Sequence, residues 1–396
     1  MSGYNRPTNP RGRCIAMRSG DKTDLPPVVK HLERWFCRRP PQPSRPPDRR
    51  INPDHRPLED GMTVAVVGGG LAGPVFARQL LSLTRDGGPR LRVIILDQTS
   101  CNYCAGLMTA LARNTLSELC GLEVAPEVIL TEIDGCVFLN HHGAVDVNVA
   151  TPLVSMLRTD RFGEAGFDDS LKYRLLEGMD EMGDRLEIIE PVTVNEVRVP
   201  TGASPGWLAF RRRGETHRLQ ADVIAMASGL RSLDRPMLKD FIAQTGYVPP
   251  PVMEAGVTEI DAGHAKHNRL GHRALIVDNI VPDTMIGIIP KRPTWITVSS
   301  LHRKLTREDL RLLFDHPVVK EYIDLPDAEN SLRCNLICGA LVYSGPARNL
   351  CGEGWLMLGD LTGYGRVLKD GYFACMLGAE LAAQAPGGGA QVVGKL

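Results

Sequence analysis

The sequence lacks any apolar run long enough to cross a bilayer and any apolar segment typical of a signal peptide. No stretch of its 396 residues approaches the roughly 20 apolar residues that a membrane-spanning helix needs. The first residues, MSGYNRPTNPRGRC, contain no apolar core that could direct secretion. Net charge is also missing, because 46 Lys and Arg balance 46 Asp and Glu. These absences predict a cytoplasmic protein with no transmembrane segment and no nucleic acid partner.

The ten cysteines do not form the dense framework of a small secreted domain. They are scattered along the chain, which predicts mostly reduced thiols. Cys120, Cys136, Cys351 and Cys375 lie in or beside apolar runs and are predicted to be core residues. The length corresponds to two domains at about 100–200 residues each. A content of 43% hydrophobic and 23% charged residues is ordinary for a globular chain.

Residues 1–61 differ in composition from the rest of the chain. The segment RRPPQPSRPPDRR is rich in Pro and Arg and cannot supply a packed core. We predict a disordered extension here, and a targeting peptide or a polyanion-binding arm are the alternatives. From Thr63 onward the chain has the strand and helix patterns of a folded α/β protein. Among the later elements, TREDLRLLFDHP predicts a helix with Thr306 as its N-cap.

The most informative motif is VAVVGGGLAG, which contains G-x-G-x-x-G at Gly68, Gly70 and Gly73. It follows a buried-strand pattern and opens a helical one, and the next strand, LRVIILD, ends on Asp97. In a dinucleotide site the glycines allow a tight turn, close approach to a pyrophosphate and close helix packing. We therefore predict such a site, in which Asp97 accepts hydrogen bonds from ribose hydroxyls. A glycine turn without a ligand is the alternative.

A second element near the C-terminus, WLMLGDLTGYGRVLKDGYFACMLGAELAA, indicates which dinucleotide binds. Gly359 and Asp360 end a predicted strand, and Asp370 and Gly371 open a predicted helix of small and apolar residues. An extended FAD needs a late strand and helix of this kind. Its Asp meets the ribityl or pyrophosphate part, and its helix N-terminus faces the flavin. The prediction is FAD, and a plain helix capped by Asp360 is the alternative.

Together with two further segments, these motifs make the chain resemble the geranylgeranyl reductase-like family of FAD-dependent oxidoreductases, whose fold is shared with the aromatic flavin hydroxylases. The further segments are CNYCAGL from Cys101 and LRTDR with Arg158, followed by FDDSL. The resemblance runs from about Met62 to the C-terminus and is weaker in the middle. It implies that CNYCAGL lies beside the isoalloxazine ring, that Gly106 lets the backbone approach the ring, and that Arg158 contacts FAD.

The resemblance also implies the architecture. We expect an α/β fold with a Rossmann-like FAD-binding domain, residues 62–120 with 156–235 and 346–390. A second, mostly antiparallel β-sheet domain for the substrate would comprise residues 121–155 with 236–345. Two departures from the family pattern stand out. Ser228-Gly229 occupies a place where relatives often have Asp-Gly, and we expect a C-terminal substrate-shielding domain found in some relatives to be absent or trimmed.

The pair Cys101 and Cys104 has C-x-x-C spacing, which several kinds of site share. A zinc site needs four ligands, and the other close pair is Cys334 and Cys338. A redox-active disulfide and inert structural thiols are further alternatives. The interpretation that we favour is a pair of flavin-adjacent thiols with a catalytic role and no metal, although their pKa values decide their reactivity.

Two polar segments are weaker candidates for binding a metal ion or a substrate. His141 and His142 are adjacent, so on a strand they would point to opposite faces and make poor joint ligands; a surface position is predicted. The basic segment IPKRPTW is predicted to be a solvated turn, with contact to an anionic substrate as the alternative.

The predicted function is that of an FAD-dependent oxidoreductase. As a reductase it would deliver hydride from reduced FAD to an apolar, unsaturated, isoprenoid-like substrate. A flavin monooxygenase that hydroxylates a small molecule is the first alternative, and a non-catalytic nucleotide-binding or thiol redox-sensing module is the second. The chain has no second G-x-G-x-x-G, so the electron donor is left open as NADPH or another reductant, including a small electron carrier.

Overall fold

The computed structural model describes residues 58–85, 87–98, 106–148, 152–157, 175–176, 178–202, 204–292, 294–333, 337–365 and 371–384. The predicted N-terminal extension lies outside these residues except for positions 58–61. Across the described ranges, no helix is long and apolar enough to span a membrane.

The strands, in chain order, are β1 (Thr63–Val67), β2 (Arg92–Leu96), β3 (Leu107–Thr109), β4 (Ile129–Ile133), β5 (Gly135–Asn140), β6 (Gly143–Asn148), β7 (Val154–Leu157), β8 (Leu186–Ile189), β9 (Thr193–Arg198), β10 (Gly206–Arg212), β11 (Glu215–Ala221), β12 (Val223–Met226), β13 (Val252–Asp261), β14 (His267–Asn268), β15 (Arg273–Asp278), β16 (Met285–Arg292), β17 (Trp295–His302), β18 (Ile323–Asp324), β19 (Cys338–Tyr343), β20 (Cys351–Gly352) and β21 (Trp355–Met357). The α-helices are α1 (Ala72–Leu83), α2 (Ala110–Cys120), α3 (Pro236–Thr245), α4 (Arg307–Asp315), α5 (Pro317–Lys320) and α6 (Gly371–Gln384).

The first sheet has six strands in the order β20-β21-β12-β1-β2-β8. All neighbours run parallel except β20 and β21. Its central strands are continuous apolar runs because parallel strands with both faces covered have no solvent side. Helix α1 connects β1 to β2 and buries Val75, Phe76 and Leu80 in the same core as Met376 of α6. The predicted Rossmann-like β-α-β unit is therefore confirmed.

The second sheet has seven strands in the order β19-β13-β17-β16-β15-β5-β6. Its neighbours are antiparallel except for β15 and β5, which confirms the predicted second, mostly antiparallel sheet. One face of this sheet is buried, because Leu275 and Ile288 pack in one cluster with Leu310, Leu313 and Phe314 of α4. The opposite face is described below with the candidate site.

Three small antiparallel sheets complete the described part of the fold, and one of them is the two-stranded sheet β14-β18. The sheet β11-β10-β9 buries Leu208 and Phe210 in a core shared with Ala65 of β1. The sheet β3-β7-β4 joins two cores. Met108 and Leu157 pack with the α1 core, whereas Leu107 and Met156 pack with Ala274 and Ile289 of the seven-stranded sheet. This small sheet therefore contacts both the helices that cover the parallel sheet and the seven-stranded sheet.

Helix α4 begins with a capping box, as the sequence predicts. The Thr306 side chain accepts a hydrogen bond from the Asp309 amide at 3.1 Å, and an Asp309 carboxylate oxygen accepts one from the Thr306 amide at 2.7 Å. Arg303 also binds the Asp309 carboxylate through two guanidinium nitrogens, at 2.7 and 2.9 Å. Arg303 is the largest cause of the lowered pKa of this carboxyl, and the Thr306 donors add to it.

Replacing Asp309 with Asn is expected to lower the free energy of unfolding at neutral pH by about 2 kcal/mol, because the charge paired with Arg303 is lost and one acceptor oxygen becomes an NH₂ donor. The folded chain holds the Asp309 proton less tightly than the unfolded chain does. Asp309 therefore stabilises the fold above its ordinary pKa of 3.8, and this contribution disappears as the pH falls below that value. Urea unfolding at several pH values measures both effects. The control Asp315→Asn removes an exposed carboxyl from the same helix and should change stability much less.

Candidate functional site

Two glycines of the fingerprint are required by the packing of the protein itself. Gly68 follows β1 with a φ of +114°, and a Cβ added to it would lie 2.4 Å from the carbonyl oxygen of Ala227. A Cβ on Gly73, in the first turn of α1, would lie 2.2 Å from the carbonyl oxygen of Gly68. Because real Cβ atoms do not approach backbone atoms so closely, these positions exclude any side chain.

Gly70 has a different environment from its two partners. It is exposed, and among the described residues no atom lies within 4 Å of the point where its Cβ would be. Helix α1 begins two residues later, and Leu71 at its N-cap offers no side-chain cap. No side chain of the N-cap residue therefore accepts from the N–H groups of the first turn, which could bind an anionic group. Pro74 in this turn has no N–H group. Open space at Gly70 beside an uncapped helix end fits a phosphate.

Asp97 follows the last residue of β2, and its side chain is hydrogen-bonded to the glycine turn. Its side chain is 9% exposed, and its Oδ1 accepts a hydrogen bond from the Gly69 amide at 3.0 Å. A Cβ on Gly69 would lie 2.7 Å from the Asp97 carboxyl carbon. This contact between Asp97 and Gly69 is not predicted from the sequence, although the run of three glycines, where the motif requires two, is a signal for it. The predicted contact with a ribose stays a prediction.

The late element meets the fingerprint in space. Gly359 lies in a single 3₁₀ turn, Gly359–Thr362, that follows β21. Its φ is +63°, and a Cβ added to it would lie 3.0 Å from the Cβ of Ala72, the first residue of α1. Two elements far apart in sequence are therefore in contact, because β21 and β1 both border β12 in the parallel sheet.

The Asp360 residue as a whole is exposed to solvent. Its carboxyl group nevertheless has protein atoms around it on most sides. This desolvation raises the pKa of the carboxyl, and a contact with Cys375 partly offsets the effect. The Cys375 Sγ lies 3.9 Å from the Asp360 Oδ1. Gly371 begins α6, and no atom of another described residue lies within 4 Å of the position of a Cβ added to it. Asp370, which was predicted beside it, lies outside the described residues.

Gly106 packs against the β7 backbone. Its φ is +80°, and a Cβ added to it would lie 2.4 Å from the carbonyl oxygen of Leu157. The Leu157 amide also donates a hydrogen bond to the Gly106 carbonyl at 2.7 Å. A protein contact thus accounts for the glycine, and its predicted approach to a flavin stays a prediction.

The other three predicted site residues, Cys101, Cys104 and Arg158, lie outside the described residues. The described residues nearest in the chain to Cys104 and Arg158 are Gly106 and Leu157, the hydrogen-bonded pair just noted. Cys334 of the alternative zinc set is outside as well. Within the described ranges, no group of three or more His, Cys, Asp or Glu side chains could hold a metal ion.

The turn after β12 carries the departure from the family pattern. The hydroxyls of Ser228 and Ser232 lie 2.8 Å apart, and the Ser232 hydroxyl donates to the Gly229 carbonyl at 2.6 Å. Two hydroxyls and a carbonyl therefore interact where relatives often place a carboxylate. The short 3₁₀ helix Leu230–Ser232 in this turn lies against β19 of the seven-stranded sheet.

The second face of the seven-stranded sheet carries a continuous line of residues that we call the apolar row. Paired residues on seven neighbouring strands form it: Val145, Phe138, Ile276, Gly287, Ser299, Val257 and Cys338. The first two are exposed and the other five are half-buried. Ala274 and Ile289 on the same face pack against the sheet β3-β7-β4. The apolar row thus remains accessible between the contacts of this small sheet and those of β19 with the turn after β12.

The basic segment is not a solvated turn, so that prediction is wrong. Strand β16 continues through Lys291, which is buried and forms an ion pair with Glu259. Arg333 binds the other Glu259 oxygen at 2.8 Å. Burial alone would raise the pKa of Glu259, but Lys291 and Arg333 outweigh it and lower that pKa. Lys291 is therefore paired within the protein.

Other minor predictions have mixed outcomes. His141 and His142 are exposed in the turn after β5, as predicted. Cys120 is buried in the core, also as predicted. The core prediction is wrong for Cys351, which is exposed because β20 is a two-residue strand at the sheet edge. Cys136 and Cys375 are only half-buried.

Comparisons with known proteins bear on the fold. No protein-family model matches the sequence, and no curated protein matches it either. A geranylgeranyl bacteriochlorophyll reductase-like protein from Thermoplasma acidophilum is 14% identical, with a TM-score of 0.63 over 84% of this chain and 79% of that one. A myxobacterial chondrochloren halogenase, described as FAD-dependent, is 17% identical, with a TM-score of 0.60 over 86% and 76%. A p-nitrophenol 4-monooxygenase from Pseudomonas putida is 16% identical, with a TM-score of 0.55 over 83% and 80%. At such identities the likeness concerns the fold, and at that level the resemblance in the sequence is confirmed.

Proposed function

We propose that this protein is an FAD-dependent oxidoreductase, and specifically a reductase acting on an apolar, unsaturated, isoprenoid-like substrate. The observation that carries the proposal is the contact between Gly359 and Ala72. It joins the two elements that an extended FAD needs, the fingerprint helix and the late strand–turn–helix. Likeness in fold to a halogenase described as FAD-dependent supports the same cofactor.

The described residues fit such a cofactor. The open space at Gly70 and the uncapped start of α1 would accept the pyrophosphate. Asp97 and Asp360 would accept hydrogen bonds from hydroxyl groups, while Gly371 leaves the start of α6 open. The cofactor, when bound, supplies hydride for the substrate carbon, and a proton from the protein or solvent completes the reduction. In this proposal Cys101 and Cys104 adjoin the flavin, Arg158 and Asp370 contact FAD, and Gly106 borders the ring.

The apolar row supports an apolar substrate. Phe138, Ile276 and Val257 present hydrocarbon on an accessible sheet face, where they would bind an apolar chain and exclude water. We further propose that the domain boundaries predicted above hold, so that residues 121–155 with 236–345 supply this wall. The FAD-binding part would then comprise residues 62–120, 156–235 and 346–390.

Reconstitution with FAD tests the cofactor, and a product assay tests the reaction. The purified full chain is incubated with FAD, dialysed and inspected for a bound flavin spectrum. The flavin-loaded protein is then supplied with dithionite and a prenyl alcohol, and mass spectrometry follows the gain of two hydrogens per reduced double bond. We expect both signals. A chain that takes up no FAD would refute the proposal.

A flavin monooxygenase is the second candidate, because the fold is also that of a p-nitrophenol 4-monooxygenase. The two candidates differ in their use of oxygen. A monooxygenase would consume oxygen with NADPH as donor in a substrate-stimulated way and would release a hydroxylated product. The reductase should instead form the same saturated product without oxygen. Assays under argon and in air, each with NADPH and with dithionite, distinguish both the reaction and the donor.

A further inference from the structure

A thiol lies against the turn that joins the late strand to the fingerprint helix. Cys375 is in the second turn of α6, and its Sγ would lie 3.5 Å from a Cβ added to Gly359. The same Sγ lies 3.9 Å from the Asp360 Oδ1, within reach of an S–H donor. The sequence pattern predicts Cys375 to be a core residue, and Cys375 has no role in the function proposed above.

The contact matters because of the environment of Asp360. Protein on most sides of this carboxyl removes part of its hydration, which favours the neutral form. A neutral carboxyl keeps one oxygen as a donor, whereas an ionised one accepts with both oxygens. Asp360 is proposed to accept hydrogen bonds from cofactor hydroxyls, and the ionised carboxylate can do so through both of its oxygens. A donor from the protein side offsets the lost hydration and orients the carboxylate.

We propose that Cys375 is a positioning residue for Asp360, holding its carboxylate in the orientation that binds the cofactor. The inference rests on the proposed function and deepens it. It also makes Cys375 a thiol whose accessibility changes when the cofactor occupies the site.

Two substitutions at this position separate hydrogen bonding from packing. Cys375→Ala removes the donor, and Cys375→Ser keeps one of similar size. A single hydrogen bond is worth about 0.5–1.5 kcal/mol, so the Ala variant should bind FAD about two- to tenfold more weakly than the wild type. The Ser variant should retain the wild-type affinity within about twofold. Affinities come from quenching of flavin fluorescence on titration, and melting temperatures confirm that each variant is folded.

Thiol alkylation provides a readout that does not depend on affinity. The wild-type protein is treated with iodoacetamide with and without saturating FAD, and the modified sites are identified after trypsin digestion. Cleavage after Arg348, Arg366 and Lys369 places Cys351 and Cys375 in different peptides. FAD should slow the modification of Cys375 severalfold and leave that of Cys351, the exposed control, unchanged.

The possible results have distinct meanings. Rescue by Ser together with protection by FAD supports the inference. Equal FAD affinities for the wild type, Ala and Ser proteins would overturn it while leaving the proposed function intact. Equal weakening in Ala and Ser, or no protection of Cys375, would likewise overturn it. Absence of FAD binding by the wild type would overturn the proposed function and this inference together.

Discussion

Replacement of Gly70 with Val is expected to abolish measurable FAD binding without lowering the melting temperature of the protein. No atom of the described part of the chain lies within 4 Å of the Cβ position at Gly70, so the added side chain would enter the space proposed for the pyrophosphate. The loss should be at least about a hundredfold in Kd, or about 2.8 kcal/mol, because a blocked phosphate loses several hydrogen bonds at once. Fluorescence titration and thermal unfolding measure the two quantities independently.

The neighbouring glycines provide the contrast for this experiment. Gly73→Ala adds only one methyl group, yet this group would lie 2.2 Å from a backbone oxygen, so that variant should lose stability even without FAD. Gly378→Ala fills another open position, within α6, and should raise stability by about 0.5–1 kcal/mol without affecting FAD. Normal FAD affinity in Gly70→Val would refute a phosphate position at this turn.

Replacement of Gly106 with Ala is expected to lower the free energy of unfolding by about 3 kcal/mol in the absence of any cofactor. A left-handed backbone costs a non-glycine residue about 1–2 kcal/mol, and the rest comes from the contact with the Leu157 carbonyl oxygen. This oxygen belongs to the backbone of β7, so it cannot move aside as a flexible side chain could. Urea denaturation of the protein without FAD measures the loss.

Gly121 is the matched control for Gly106. It caps helix α2 with a φ of +62°, and nothing lies within 4 Å of its Cβ position. Gly121→Ala should therefore carry the conformational cost alone, about 1 kcal/mol, and the difference between the two variants is the cost of the contact. An unchanged stability of Gly106→Ala would show that this glycine serves only an approaching ligand.

The sequence alone predicts those parts of the fold whose cause is local. The strand before Gly68, the helix after it and the strand ending at Asp97 follow from apolar periodicity and from the glycine spacing. The cap at Thr306 is local as well, because its partner Asp309 is three residues away. The two wrong predictions, for Lys291 and Cys351, concern residues whose environment is set by distant parts of the chain. Lys291 is buried because Glu259 lies on another strand, and Cys351 is exposed because β20 is an edge strand, which composition cannot reveal.

The glycine fingerprint and the late strand–turn–helix can be recognised from the sequence alone, since each is encoded within a short segment. The contacts between these elements depend on the tertiary structure. Asp97 braces Gly69, Gly359 meets Ala72 and Cys375 reaches Asp360. The first two contacts join residues brought together by strand order in the parallel sheet, and the third depends on where α6 packs. Strand order and helix packing arise from burial of the whole core, and no single segment of the chain carries that information.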